Sequence, residues 1–315
     1  MKKNHLLTLL ALCTITLGLT ACGQKKESNR LSIGVLQQIN QTAIDDLRDG
    51  FKSELKADGY GSNKVTLHYL NANGDQSNLA SMSQKLAGQH NDLNIAIATN
   101  AAQAMAKADP KTPLLFTGVA DPVATGLIKN RQHPEANASG VSATIDEADQ
   151  IKLLHHLFPK AKTVGMLYDA SEPNSILHVK NAKQELKRLH LKVISKTVTS
   201  TNDVQAATEA LVKQVNAFYL PADNVVAAAM PTVGKIIDQA HIPAIPGDAT
   251  MVSLAGVATR GIDFKQVGKQ TAKMAIKVLK GQKIKNTPVE NAAKSELVTS
   301  KKRIKMYGLT SADLK

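Results

Sequence analysis

The stretch Thr112–Leu127, TPLLFTGVADPVATGL, decides the reading of the chain. An apolar run from Leu114 to Val119 reads as a strand buried in a parallel sheet. It ends at Ala120-Asp121-Pro122, and small and apolar residues resume at Val123. In open α/β sheets, ligands bind just past the C-terminal ends of the strands. Similar endings recur at Gln37, Asn71, Thr99, Tyr168, Asp223 and Asp248. The pattern predicts one small-molecule cleft built from many strand ends, with no catalytic constellation inside it.

Working upstream, Leu31–Leu36, Val65–Leu70 and Asn94–Ala98 read as further strands. Ile44, Leu47, Phe51 and Leu55 fall at helical spacing between the first two, and Leu79, Met82 and Leu86 do so between the next two. Downstream, Val141–Ala143 reads as a crossing strand. Thr144-Ile145-Asp146-Glu147 reads as a capping box opening a helix that Pro159 stops. A second strand–helix series follows, with strands at Thr163–Tyr168, Lys192–Val198, Ala217–Leu220 and Ile242–Ile245. Its helices cover Ile176–Leu189, Val204–Val215 and Val225–Ala240. Gly256–Asp263 reads as strand and loop, Gln266–Lys280 as a helix, and Pro288–Val298 as a late strand pair. Such alternation predicts α/β architecture in two halves, each a parallel sheet between helices.

The chain has 315 residues, room for two ordinary domains, with 43% hydrophobic and 3% aromatic residues. Its net charge of +13 is scattered, without the clustered Arg and interleaved aromatics of a nucleic-acid surface. Nucleic acid is therefore not an expected partner. The basic cluster Lys301-Lys302-Arg303 reads as a solvated turn. No Gly-x-Ser-x-Gly, Walker A, Gly-x-Gly-x-x-Gly or His-Glu-x-x-His motif occurs. His155 and His156 diverge around a helix and do not suit a shared metal. No enzyme, metal or cofactor is expected.

Met1–Ala21 reads as a secretory leader, with Lys2-Lys3 as its basic start and Leu6–Leu19 as its apolar segment. It ends in Leu19-Thr20-Ala21-Cys22-Gly23, which resembles the bacterial lipobox. The resemblance implies a lipid on Cys22, giving stable anchoring on the outer face of the cell membrane. Gln24–Arg30 is then a polar tether. The only other cysteine, Cys13, falls within the leader, so no internal disulfide is expected after cleavage.

Each candidate site residue has a plainer alternative. Asp121 is either a cleft carboxylate or a turn-former before Pro122. Thr99 and Asn100 either offer a helix N-terminus to a ligand carboxylate or simply cap that helix. Asn174 and Ser175, in the polar loop Tyr168–Ser175, pose the same choice. Asp223 and Asp248 are the first candidates in the second half for holding an ammonium group, since that charge needs a carboxylate partner when it leaves water. A capping role for each is equally open.

Several blocks together resemble the substrate-binding lipoproteins of ABC transporters, tryptophan/tyrosine type. They are Ile33-Gly34-Val35-Leu36-Gln37, Asn71–Gln76, Ala98-Thr99, Phe116–Val123, Gly140-Val141-Ser142, Pro221–Asn224, Gly261-Ile262-Asp263 and the lipobox. The resemblance implies a periplasmic-binding-protein type I clamshell: two lobes with parallel sheets, hinged by three crossovers. Lobe one would comprise 31–144 plus 257–286, and lobe two 145–256 plus 287–315. The implied cleft residues are Gln38, Asn71, Thr99, Asn100 and Asp121 from lobe one. Lobe two would add Tyr168, Asn174, Ser175, Asp223, Asn224 and Asp248. The implied function is capture of a zwitterionic ligand, an amino acid and an aromatic one in particular, by a monomer that hands it to an ABC permease and its ATPase. A lipid-anchored sensor would carry the same cleft. Two departures stand out. Thr99-Asn100-Ala101-Ala102 lacks the proline of the family's Ala-Thr-Pro-Ala. Asn40-Gln41 replaces a family His-Pro or Ser-Pro, so the first loop is expected to read a different side chain.

Overall fold

The computed structural model describes residues 30–134, 137–293 and 295–314; the expected leader and Cys22 lie outside them. The first series is β1 (Leu31–Gln37), α1 (Thr42–Ala57), β2 (Val65–Asn71), α2 (Gln76–Ala87), β3 (Leu93–Ile97), α3 (Thr99–Ala108), β4 (Leu114–Val119) and β5 (Ala138–Ser142). The second is α4 (Glu147–Leu157), β6 (Thr163–Asp169), α5 (Pro173–Arg188), β7 (Lys192–Val198), α6 (Val204–Leu211), β8 (Ala217–Leu220), α7 (Asn224–Ala228), α8 (Met230–Gln239) and β9 (Ala244–Pro246). The chain closes with β10 (Ala258–Gly261), α9 (Phe264–Leu279), β11 (Glu290–Asn291), β12 (Glu296–Thr299) and α10 (Lys301–Met306).

Two parallel sheets result, one per lobe. Lobe one has the order β11-β5-β4-β3-β1-β2, and lobe two has β7-β6-β8-β9; β10 and β12 form an antiparallel ribbon. The inner strands of lobe one are buried on both faces, as parallel strands under helices must be: β3 and β5 are buried at every residue. Ile44, Leu47, Phe51 and Leu55 all face that core, as their helical spacing predicts. Here α1 packs on α9 at backbone distance. A Cβ on Gly268 would stand 2.1 Å from the Leu47 carbonyl oxygen, and one on Gly50 2.1 Å from that of Lys265. Only glycine permits this approach, and it ties the late helix α9 to the first helix of the chain.

The chain crosses between sheets three times, after β5, after β10 and after β11. The second and third crossings differ from the expected boundaries at 257 and 286. Val257 donates its N–H to Ala244 and so extends lobe two alongside β9, while β11 joins lobe one beside β5. The late strands thus split between sheets instead of pairing with each other, because β12 pairs with β10.

Other differences have local causes. The helix expected over Val225–Ala240 breaks at Ala229, where Pro231, lacking an N–H, sits in the first turn of α8. The helix before Pro159 is capped by Asp146, whose side chain accepts from the Asp149 N–H, instead of by Thr144. Lys301-Lys302-Arg303 is not a solvated turn. Arg303 is buried and forks onto Asp238, at 2.8 Å (Nε to Oδ1) and 3.0 Å (Nη2 to Oδ2). Against the opposing effect of burial, Arg303 and Lys302 hold the Asp238 carboxyl below its ordinary range.

Candidate ligand-binding site

The strand ends of the two lobes meet around one cavity. Residues after β1 (Gln41), within and after β4 (Gly118, Ala120), after β8 (Ala222, Asp223, Asn224) and after β9 (Asp248) line it. The side chains of Ile44, Leu47 and Phe264 add an apolar wall, and Asn174 and His178 reach it from α5. The lobes are shut: Gln38 Nε2 donates to Glu172 Oε1 at 2.8 Å, Gln41 Nε2 to Asn224 Oδ1 at 3.2 Å, and Asn100 Nδ2 to the Ser171 carbonyl at 3.4 Å. In this arrangement the cavity measures about 40 Å³, room for roughly three waters.

Asp223 is 1% exposed and does two jobs. Its Oδ1 accepts from the Val226 N–H at 2.8 Å, capping α7, and its Oδ2 accepts from the Asp169 N–H at 2.6 Å. Asp248 likewise accepts from the Thr250 N–H at 2.7 Å while lining the cavity. Both residues therefore cap, and both also face the cavity. Burial pushes the Asp223 carboxyl up, and pushes that of Asp248 to about 6. Among the described residues, the lining contains no lysine or arginine.

Beside the cavity lies a buried polar seam centred on Glu172, which the sequence reading did not single out. Its carboxylate accepts from Gln38, Asn174, Ser175 and both the backbone and side chain of Asn224. Burial first, then the neighbouring Asp223 charge, outweigh these donors and push Glu172 up to about 8. Three buried side-chain atoms here have no protein partner: Gln38 Oε1, Thr99 Oγ1 and Asn174 Oδ1. Gln38 and Asn174 share Glu172, and Thr99 adjoins Asn100 at Ser171. Thr99 is not a cap. It opens α3 after Ala98, a non-glycine residue at φ +80° with no side-chain cap bond. Buried orphan acceptors and backbone strain are both features that collect at ligand sites.

Gln38, Thr99, Asn100, Asn174, Ser175, Asp223, Asn224 and Asp248 thus come together between the lobes. Three expected residues do not. Asp121 binds its own loop, accepting from the Val123 and Ala124 N–H groups at 2.9 and 3.1 Å, so the turn-former reading holds. Asn71 bonds Asn40 at 2.6 Å and the Asn73 N–H. Tyr168 packs against the core of lobe two beside β7, since alternation along β6 directs it away from the cavity. The FTGVADP stretch contributes Gly118 and Ala120 to the lining instead, and Gly118 sets the local backbone. It sits at φ +71° in a bulge of β4, and a Cβ there would lie 2.5 Å from Leu47 Cδ1.

Residues 32–314 match the model of a family described as ABC transporter substrate binding protein. The chain belongs to this family. Its members bind substrates and are not enzymes, in line with the absence of catalytic motifs. This substrate-binding protein is 30% identical over 300 residues to a tyrosine-binding protein of Clostridioides difficile, covering 91% of this chain and 87% of the relative. It superposes on an L-Trp complex of an ABC protein from Streptococcus pneumoniae with a TM-score of 0.86 at 33% identity, covering 90% of this chain and 97% of that one. A ligand-free, open substrate-binding protein with adhesive properties from Clostridium difficile gives 0.67 at the same identity, with 89% and 96% covered. At equal identity and near-equal coverage, the present substrate-binding protein superposes better on the Trp complex than on the open, ligand-free structure.

Proposed function

We propose that this substrate-binding protein captures an aromatic amino acid outside the cytoplasm, anchored by a lipid on Cys22, and delivers it to an ABC permease and its ATPase. One observation carries the reading: an interlobe cavity that presents two buried carboxylates, Asp223 and Asp248, with no lysine or arginine in its lining among the described residues. An ammonium group is the natural counterpart of such a site, because a buried carboxylate without a cation is costly. The orphan Thr99 hydroxyl can donate to the carboxylate of a zwitterion beside the start of α3, and the orphan Asn174 Oδ1 is a further acceptor for its ammonium. The Ile44, Leu47 and Phe264 wall suits an apolar ring, and the tyrosine- and tryptophan-binding relatives favour an aromatic one.

Such a ligand exceeds the shut cavity, so the lobes open on the hinge to admit it and re-form around it. Water leaves as they close, and the charge pair strengthens. Calorimetric titration of the purified protein with the twenty amino acids and short peptides tests the ligand class. Binding of tyrosine or tryptophan is expected, and silence across the series would overturn it. Palmitate labelling in cells, lost in Cys22→Ala, tests the anchor.

A further inference from the structure

His178 is buried on α5 one turn after Asn174, on the same helix face, and both line the cavity. Its Nδ1 lies 2.5 Å from Glu147 Oε1, in the first turn of α4 beyond the first crossover. The other Glu147 oxygen accepts from Asn181 Nδ2 at 3.1 Å. With Glu147 accepting on both oxygens, the ring donates from Nδ1, and in that tautomer of the uncharged ring the lone pair is on Nε2. Glu147 does not line the cavity, so the ring stands between that carboxylate and the ligand space. Among the described residues, Nε2 has no hydrogen-bond partner.

We propose that His178 is a specificity-determining residue: with its tautomer fixed by Glu147, it offers the cavity a nitrogen acceptor and selects aromatic ligands that carry a hydrogen-bond donor on the ring. The inference rests on the aromatic-amino-acid reading above. The wall of Ile44, Leu47 and Phe264 accepts any ring without direction, and its apolar contact does not separate tyrosine from phenylalanine. An acceptor covered by a ligand without a donor is left unmet, which makes discrimination by a polar group far sharper than discrimination by apolar fit. The phenol O–H of tyrosine and the indole N–H of tryptophan satisfy it; phenylalanine does not. Glu147 acts through His178 as a positioning residue.

The test is calorimetric titration of the purified protein with L-tyrosine, L-tryptophan, L-phenylalanine and 4-fluoro-L-phenylalanine, the last matching tyrosine in shape without its donor. Tyrosine and tryptophan are expected to bind about ten- to a hundredfold tighter than the other two. In His178→Phe combined with Glu147→Gln, which leaves no unpaired buried carboxylate, that preference is expected to shrink to within about threefold, read as the ratio of affinities within the variant. Equal binding of tyrosine and its fluoro analogue by the unaltered protein overturns the proposal, as does a variant that keeps the preference. The analogue series needs no substitution and can overturn the proposal whether or not the variant folds. Failure of all four ligands to bind overturns the aromatic reading itself, whereas tight binding of all four without preference overturns only the role of His178.

Discussion

Apart from the polar Gln41, lobe one lines the cavity with apolar residues such as Ile44, Leu47, Gly118, Ala120 and Phe264, whereas lobe two supplies Asn174, His178, Asp223, Asn224 and Asp248. The first set gives non-directional apolar contact, which scales with area and tolerates many rings. The second is made of groups that are costly to bury unless matched, so it sets which ligand chemistry is accepted. Division of labour between the lobes teaches that closure is itself part of recognition: neither half alone presents both a ring-shaped surface and a charge partner.

The largest effect is expected in lobe two. Asp223→Ala removes the acceptor for the Val226 and Asp169 N–H groups together with a cavity charge. It should weaken ligand binding about a hundredfold and cost about 2–4 kcal/mol of stability, read by calorimetry and urea unfolding. Retained affinity would break the contrast between the lobes. The next effect is on pH. Asp248 titrates near 6 and must be ionised to pair with an ammonium, so affinity should fall about tenfold from pH 7 to pH 5. Stability of the ligand-free protein should run the other way. Glu172 and Asp248 hold protons in the folded state that the unfolded chain releases, so their contribution is complete below about pH 4 and is lost as pH rises towards 8. Thermal melts across that range check this, and Glu172→Gln should flatten the curve.

Lobe one should respond more mildly. Gly118→Ala places a Cβ against Leu47 at a positive φ, costing about 1–2 kcal/mol and lowering affinity several-fold for the larger rings first. Asp121→Ala sharpens the comparison most by doing least. It removes a turn cap that is not part of the cavity lining, costs about 0.5–1 kcal/mol in a thermal melt, and leaves ligand affinity unchanged.

That last residue marks where sequence reading reached its limit. Strand ends were legible because apolar runs bounded by polar residues are local: β4, β7 and β8 coincide with their expected ranges. Asp223 and Asp248 were legible for the same reason, as acids just past such runs. Asp121 looks the same in sequence, yet a following Pro122 turns its carboxylate back onto its own loop. Glu172 was hidden in the opposite way. A Glu before Pro173 resembles an ordinary helix entry, and only the arrival of Gln38 from the other lobe, across 134 positions, makes it a buried hub. Gln41 was half legible, since Asn40-Gln41 stood out as a departure in the first loop. His178 gave no signal, because its meaning depends on Glu147 from a neighbouring helix.

The glycine contact between α1 and α9 bears on how the molecule comes into being. Chains emerge from the N-terminus onwards, so β1 to β5 are made long before their covering helix arrives. Lobe two waits similarly for Arg303 to reach Asp238. Both halves are finished only by the final sixty or so residues, so a chain cut short after β9 leaves two unfinished cores instead of one complete lobe.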